Sequence, residues 1–134
     1  DLSVYENIVL PIQLDGSRVD EAFIEQIIEV LGLTEKKNSL PNQLSGGQQQ
    51  RVAIARALAT KPSIILADEP TGNLDPKTSE EIMKLLEEIN ERGTTVLVVT
   101  HNREIVNAMK KRVITMNKGV IVNDEKEGTY IDEI

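Results

Sequence analysis

The 134-residue chain contains no cysteine and no tryptophan, and its only aromatic residues are one phenylalanine and two tyrosines. Without cysteine there is neither a disulfide framework nor a cysteine-based zinc site. The core must therefore be built from Ile, Leu, Val and Ala. No apolar run approaches the ~18 residues of a membrane span, and no signal peptide is visible. These absences leave an ordinary globular chain of one domain's length, with further residues expected upstream because it starts at Asp1 rather than Met.

Positive charge is also in short supply. The chain has 15 Lys and Arg residues against 22 Asp and Glu residues, a formal net charge of −7. A nucleic-acid-binding protein usually presents a basic face, and direct binding to anionic lipid needs basic clusters. The acidic balance argues against both partners, and it is what the solvated surface of a soluble protein would show.

The first 60 residues are nearly all helical in pattern. Ser3 can cap a short helix that runs through residues 6–10 and ends at Pro11. The spacing predicts a second helix over residues 19–31 with one buried stripe, and a third over residues 45–60 that begins at an N-cap serine. Together these segments predict an N-terminal helical lobe.

The remaining residues alternate between strand and helix patterns. Residues 63–67 and 94–100 are apolar and of strand length, and they indicate strands buried on both faces. A helix over residues 78–90 is predicted between them. A further helix follows, which Asn102 could cap and which reaches about residue 110. A hairpin of two short strands and a loosely held polar tail over residues 124–134 come after it. This order predicts an α/β fold with a parallel sheet.

The first motif, LSGGQ at residues 44–48, lies immediately before the third helix. A helix N-terminus offers free N–H groups and a partial positive charge. Gly46 and Gly47 let an anion approach the backbone, and Ser45 adds a hydroxyl donor. With Gln48 these residues are candidates for binding phosphate. The same residues also fit a simple turn with a serine cap.

Two carboxylates, Asp68 and Glu69, directly follow the four apolar residues 64–67. Ligands of open α/β sheets bind at the carboxyl ends of the strands. Asp68 is therefore placed to hold Mg²⁺ through water, and Glu69 to orient and deprotonate an attacking water. The alternative is a strand that simply ends in polar residues.

Two further candidates complete a pattern. His101, the only histidine, ends the second apolar strand, where a neutral imidazole could donate to a γ-phosphate; alone, such a histidine is more often structural. Asp75 lies in a loop, residues 72–75, that by itself fits a loop with a helix cap. The four features occur in a fixed order: a glycine-rich helix start, a strand ending in Asp-Glu, an Asp-bearing loop and a strand ending in His. Because the structural alternatives would each have to hold independently, this joint pattern strengthens the functional interpretation of all four.

With these motifs the chain resembles the nucleotide-binding domain of ABC transporters over nearly its whole length. Residues 44–48 resemble the family's signature motif, and residues 49–58 the helix that follows it. Residues 64–69 are similar to the Walker B strand with its catalytic glutamate. Residues 73–75 resemble the D-loop, and His101 the switch histidine.

Within the family, the chain resembles the group that serves lipoprotein release, macrolide export and cell division. Residues 67–75 are typical of that group. Residues 91–95 and 100–107 resemble FtsE-type cell-division ATPases. Residues 2–11 are equally similar to antimicrobial-peptide exporters of Gram-positive bacteria.

One element of the family pattern is missing. No Walker A loop of the form G-x-x-x-x-G-K-[ST] occurs in the sequence, and the adenine-stacking aromatic and the glutamine loop are absent as well. The expected fold is α/β, a P-loop NTPase-like parallel sheet without its Walker A strand, with an N-terminal helical lobe. Residues 1–60 would form the helical signature subdomain and residues 61–134 the C-terminal part of the RecA-like ATPase core. An apolar sheet edge would be left open to self-association.

The resemblance implies ATP and Mg²⁺ as cofactors. The signature residues and Asp75 would contact a nucleotide held by a second ATPase subunit in a head-to-tail dimer. Asp68 would hold Mg²⁺, and Glu69 and His101 would be catalytic. The protein would lie in the cytoplasm on the inner face of the cell membrane, coupling ATP hydrolysis to an integral permease-type subunit.

Two hypotheses remain open at this point. In the first, the chain is part of a complete ABC ATPase. In the second, it is a truncated, non-catalytic docking or regulatory module. An in-frame upstream segment of roughly 90 residues with a Walker A loop would decide for the first.

Overall fold

The structure, a computed structural model, describes residues 1–131 of the chain. It contains helices and strands in the order α1, α2, α3, β1, α4, β2, α5, β3, β4. The helices are α1 Val4–Leu14, α2 Glu21–Val30, α3 Gly46–Leu58, α4 Pro76–Glu91 and α5 Arg103–Met109. The strands are β1 Ile64–Asp68, β2 Thr95–Val99, β3 Val113–Asn117 and β4 Val120–Glu125. The predicted α/β class is confirmed.

The chain forms two compact units, Asp1–Val98 and a second one that begins at Val99. The first unit extends beyond the helical lobe because α4 packs on α3. This boundary differs from the predicted division at residues 60 and 61. That division, into a signature subdomain (1–60) and part of an ATPase core (61–134), concerns function and stays a prediction.

Helix α1 begins where the sequence indicates and continues past its expected end. Ser3 caps it: the Ser3 hydroxyl accepts from the Glu6 N–H at 3.2 Å, and the Glu6 carboxylate accepts from the Ser3 N–H at 2.9 Å. The predicted end at Pro11 is wrong, because the helix runs through Pro11 to Leu14. Burial of one apolar stripe of α1 in the core outweighs the hydrogen bond that proline removes.

The core of the first unit lies where α1, α2 and α4 pack on α3. Its fully buried side chains are aliphatic, as the scarcity of aromatic residues requires. The largest of them are Ile8, Ile24, Ile28, Leu31, Leu33 and Ile82.

Strands β1 and β2 pair in a two-stranded sheet and are joined through α4. A strand–helix–strand connection of this kind links parallel neighbours. Both strands were predicted to be buried on both faces, and this is wrong. Ile65 is buried, but Ile64 is 56% and Leu66 74% exposed, and Leu97 of β2 is 50% exposed. The described residues cover only one face of this sheet.

In the second unit, Asn102 caps α5 by accepting from the Ile105 N–H at 3.1 Å. Strands β3 and β4 form the predicted antiparallel hairpin, with an irregularity between Thr115 and Met116. The segment predicted to be loose is partly ordered, since β4 reaches Glu125 and the Tyr130 N–H donates to Asn107 Oδ1 at 2.8 Å. The last three residues of that predicted tail, 132–134, lie outside the described residues.

Across residues 1–131, each helix is too short or too polar to cross a bilayer.

Candidate functional site

The glycine-rich motif forms the first turn of α3. Ser45 is the N-cap: its hydroxyl oxygen accepts from the Gln48 N–H at 3.1 Å, and the Gln48 side-chain oxygen accepts from the Ser45 N–H at 2.9 Å. This is a complete capping box. The predicted serine cap is confirmed, and Gln48 acts in the cap.

The capping box leaves two N–H groups at the start of α3. Of the N–H groups that a helix cannot satisfy internally at its N-terminus, those of Ser45 and Gln48 are used by the cap. The remaining two belong to Gly46 and Gly47, and they lie at the positive end of the helix dipole. This arrangement suits an anionic oxygen.

Both glycines lie against the beginning of α4. A Cβ on Gly46 would lie 3.3 Å from Cδ2 of Leu74, and a Cβ on Gly47 would lie 2.5 Å from Cγ2 of Thr78. The turn formed by residues 45–48, the signature turn, is therefore in direct contact with the loop before α4 and with the first turn of α4, all within the first unit.

Asp75 ends that loop as the N-cap of α4. Its carboxylate accepts from the Thr78 N–H at 3.3 Å and from the Thr78 hydroxyl. Both hydrogen bonds lower the pKa of Asp75 below its usual value, and the bond from the Thr78 hydroxyl has the larger effect. Asn73, two residues earlier, has a left-handed backbone with φ of 63°, which asparagine tolerates better than most residues. The structure brings the predicted Asp75 together with the predicted glycine turn.

The two adjacent carboxylates occupy different positions. Asp68 is the last residue of β1 and is exposed, whereas Glu69 begins the following loop and is half-buried. Glu69 has a φ of 46°, a left-handed conformation that costs a residue with a Cβ about 1–2 kcal/mol. Its carbonyl oxygen accepts from the Gly72 N–H at 3.0 Å. A tight turn over residues 69–72 therefore follows β1 directly.

The donor set fits Mg²⁺ only in part. Among residues 1–131 there is no cluster of three or more Asp, Glu, His or Cys side chains that could hold a metal ion. Asp68 is an exposed hard oxygen ligand at the strand end. Mg²⁺ is commonly held by one or two carboxylates together with water and substrate phosphates. Asp68 fits such a role.

His101 belongs to the second unit. It is exposed and follows β2, and the next residue, Asn102, donates its N–H to Thr100 Oγ1 at 2.9 Å. The glycine turn, Asp68, Glu69 and Asp75 all belong to the first unit.

Two residues of this region escaped the sequence analysis. Thr78 joins Asp75 to Gly47, and Arg51 joins three helices. The Arg51 Nη1 donates to the carbonyl of Leu31 at 3.3 Å, and its Nη2 lies 3.2 Å from Glu81 Oε2. A threonine three residues after an aspartate is a recognisable capping signal. The pairing of Arg51 with Glu81 had no local signal.

The family model described as ABC transporter matches residues 1–72, more than half of the chain. The chain therefore belongs to the ABC transporter family. It resembles the cell division ATP-binding protein FtsE of Bacillus subtilis at 51% identity over 131 residues, which cover 96% of this chain and 58% of that protein.

Two further proteins show the range of the likeness. The macrolide export ATP-binding/permease protein MacB of Chlorobaculum tepidum is 47% identical over 94% of this chain and 19% of its own length. A dimeric ATP-binding cassette solved in a post-hydrolysis state with ADP and Pi is 43% identical, with a TM-score of 0.76 over 96% of this chain and 58% of that one. The predicted resemblance to this group is confirmed. The chain spans less than two thirds of the length of the FtsE relative.

Proposed function

We propose that this chain is the signature-motif and hydrolytic part of an ATP-hydrolysing subunit of an ABC transporter-type complex. The carrying observation is the capped glycine turn of α3, whose Gly46 and Gly47 N–H groups lie at a helix N-terminus while the turn packs on the Asp75 loop. We assign this turn to the binding of a terminal phosphate of ATP. The ADP- and Pi-bound relative supports the choice of nucleotide.

Each predicted site residue has a role in the proposal. Ser45, Gly46, Gly47 and Gln48 form the turn that contacts the nucleotide held by a second ATPase subunit. Asp75, in the loop beside that turn, is proposed to contact the same nucleotide.

The hydrolytic residues belong to a second nucleotide site, which is incomplete in this chain because the Walker A loop is missing from the sequence. Glu69 takes a proton from the attacking water, His101 donates to the γ-phosphate, and Asp68 would help to hold Mg²⁺. Bound Mg²⁺ supplies charge neutralisation at the phosphates.

The assembly follows from the same division of labour. The signature turn needs a nucleotide presented by another subunit, so a head-to-tail dimer is proposed. The similar ATP-binding cassette that was solved as a dimer supports the dimeric state. A membrane permease-type subunit is the proposed partner, and the name of the macrolide relative, an ATP-binding/permease protein, supports it. The proposed location of the ATPase is the cytoplasmic side of the membrane. Nucleic acid is not a proposed partner.

Replacement of Glu69 tests the hydrolytic role. In the full-length protein that carries this chain, Glu69→Gln keeps the size of the side chain but removes the base, so ATP binding is retained and turnover falls by about 10²-fold or more. Steady-state ATPase rates and nucleotide titration measure the two effects. Glu80→Gln, at an exposed position of α4, is the matched control and keeps full turnover. Unchanged turnover in Glu69→Gln would remove Glu69 from the mechanism.

The 134-residue chain by itself should bind MgATP weakly or not at all. The Walker A loop, whose backbone N–H groups and lysine cradle the β- and γ-phosphates, is missing from the sequence. Isothermal titration checks this. A dissociation constant in the micromolar range would contradict it and favour the chain as a complete nucleotide-binding module.

A further inference from the structure

Thr78 lies between the two loops of the candidate site, in the first turn of α4. Its backbone N–H and its hydroxyl both donate to the Asp75 carboxylate. Its methyl carbon, Cγ2, faces Gly47, where an added Cβ would come within 2.5 Å of it. One half-buried side chain thus contacts both the cap of α4 and the signature turn of α3.

The two contacts of Thr78 depend on each other. A threonine has few favourable χ1 rotamers because two heavy atoms branch at its Cβ. When the hydroxyl is held by Asp75, the chirality of Cβ fixes the direction of the methyl group. That direction leads to Gly47. The hydrogen bond to Asp75 therefore determines how closely the signature turn approaches α4.

The structure also explains why residue 47 is a glycine. Gly47 does not have the positive φ that would require glycine, so backbone freedom is not the reason. Within 4 Å of a Cβ placed on Gly47, the neighbouring atoms are Cγ2 of Thr78 at 2.5 Å and Cβ of Thr78 at 3.9 Å. A larger residue at position 47 would therefore force this threonine methyl to move.

A second contact joins the turn of α3 to the region at the start of α4. The Cβ that Gly46 lacks would lie 3.3 Å from Cδ2 of Leu74, a residue of the loop that Asp75 ends. The turn of α3 therefore meets the loop before α4 through Gly46 and Leu74, and the first turn of α4 through Gly47 and Thr78.

We propose that Thr78 is a positioning residue that holds the signature turn and the Asp75 loop as one rigid element. Its hydroxyl sets the loop, and its methyl sets the turn. The catalytic consequence rests on the proposed function: a turn that contacts a terminal phosphate has to be held at a fixed place, since displacements of about 1 Å cost activity.

A size swap tests the contact itself. Gly47→Ala, Thr78→Ser and the double variant are made in the full-length protein, and thermal unfolding is measured. Gly47→Ala should lower Tm by about 4 °C or more, because a methyl is forced into a filled space. Serine lacks Cγ2, so the double variant should return to within about 2 °C of Thr78→Ser. A double variant as unstable as Gly47→Ala, or an unchanged Tm in Gly47→Ala, would overturn the proposal.

A second pair of variants tests positioning rather than packing. Thr78→Val keeps a methyl toward Gly47 and the backbone N–H to Asp75 but has no hydroxyl to donate, whereas Thr78→Ser keeps the hydroxyl donor. We expect kcat for ATP hydrolysis to fall about tenfold in Thr78→Val, with KM changed less than about twofold, and to fall by a smaller factor in Thr78→Ser, which keeps the hydroxyl that sets the loop and loses only the methyl contact to the turn. A Thr78→Val protein with wild-type kcat, or with a change confined to KM, would refute the positioning role.

The two measurements also separate this inference from the proposed function. If the wild-type full-length protein hydrolyses no ATP, the proposed function fails, while the size swap in Tm still decides whether Thr78 holds Gly47. If ATP is hydrolysed and the double variant shows no recovery of Tm, the proposed function stands and the role of Thr78 falls.

Discussion

At Asp75 one carboxylate has two structural tasks. It caps α4 through the Thr78 N–H and orients the Thr78 hydroxyl. Both hydrogen bonds favour the ionised carboxylate, and this lowers the pKa of Asp75. The state of this side chain therefore affects both the start of α4 and the turn that contacts it.

A pH dependence follows for Asp75. A carboxylate with a lowered folded-state pKa adds stability that is fully present above its unfolded pKa, about 3.9, and is lost as the pH falls through the folded value. Asp75→Asn should therefore lower Tm at pH 7, and the difference from wild type should shrink as the pH falls below about 4. Thermal unfolding from pH 7 to pH 3 measures it.

The control for Asp75→Asn is Glu91→Gln, which removes one negative charge from the other end of α4. A difference between wild type and Asp75→Asn that stays constant down to pH 3 would show that ionised Asp75 does not stabilise the cap. A loss of the same size in the control would assign the effect to net charge.

Single residues with local signals were well predicted. The caps at Ser45, Asp75 and Asn102 depend on contacts within three residues, so the sequence alone indicates them. The contact between Thr78 and Gly47 depends on the packing of α4 against α3, some 30 residues apart in sequence. Neither residue type signals that contact locally.

At the level of elements, Pro11 is the main departure from expectation. A proline at this position lacks the N–H that would donate to the carbonyl of Asn7, and its ring crowds that carbonyl. Helix α1 nevertheless continues to Leu14, and the Asp15 N–H donates to the Pro11 carbonyl at 3.2 Å. Local propensity was outweighed here by the burial of Ile8 and Ile12.

Replacement of Pro11 tests that balance. Pro11→Ala restores a donor within α1 and should raise the free energy of unfolding by about 1 kcal/mol, because the gain of up to ~3 kcal/mol is offset by a more flexible unfolded chain. Urea unfolding of the 134-residue chain measures it. Gln13→Ala, an exposed position of the same helix, controls for helix propensity. A Pro11→Ala chain less stable than wild type would show that the proline ring itself packs productively.

The strands were placed correctly, but their burial was not. Apolar runs such as residues 64–67 predict a strand covered on both faces, and the pattern contains no information about whether a covering layer is present. Ile64 and Leu66 are exposed in the described structure. Strand identity was therefore predictable, and burial was not.

For the whole molecule, the exposed side of the β1–β2 sheet has a consequence in solution. Ile64, Leu66 and Leu97 are at least half exposed, and uncovered apolar sheet surface favours association. Light scattering on the 134-residue chain should show a mass that rises above 14.9 kDa as concentration increases.

Two lysine substitutions identify the surface responsible. Leu66→Lys should hold the mass near the monomer value, because a charge in the centre of the sheet face opposes pairing. Leu14→Lys, at a residue of α1 that is 76% exposed, should associate as wild type does. A strictly monomeric wild-type chain at high concentration would contradict this prediction.

The family and the α/β fold were predictable from the sequence because the motifs occur in a fixed order along the chain. The division into compact units at residues 98 and 99 was not predictable, since it depends on α4 packing against α3. Long-range packing of this kind leaves little trace in a single sequence.

Because the backbone of Glu69 is left-handed, selection for heat resistance and selection for ATP turnover would favour different residues at this position. Glycine accepts a φ of 46° without the cost borne by a residue with a Cβ. A library screened only for heat resistance would therefore favour glycine at position 69 and discard the carboxylate. A library screened for ATP turnover would retain glutamate and tolerate the lower melting temperature. Directed evolution of this protein for robustness would lose its proposed catalytic base unless activity were selected in the same round.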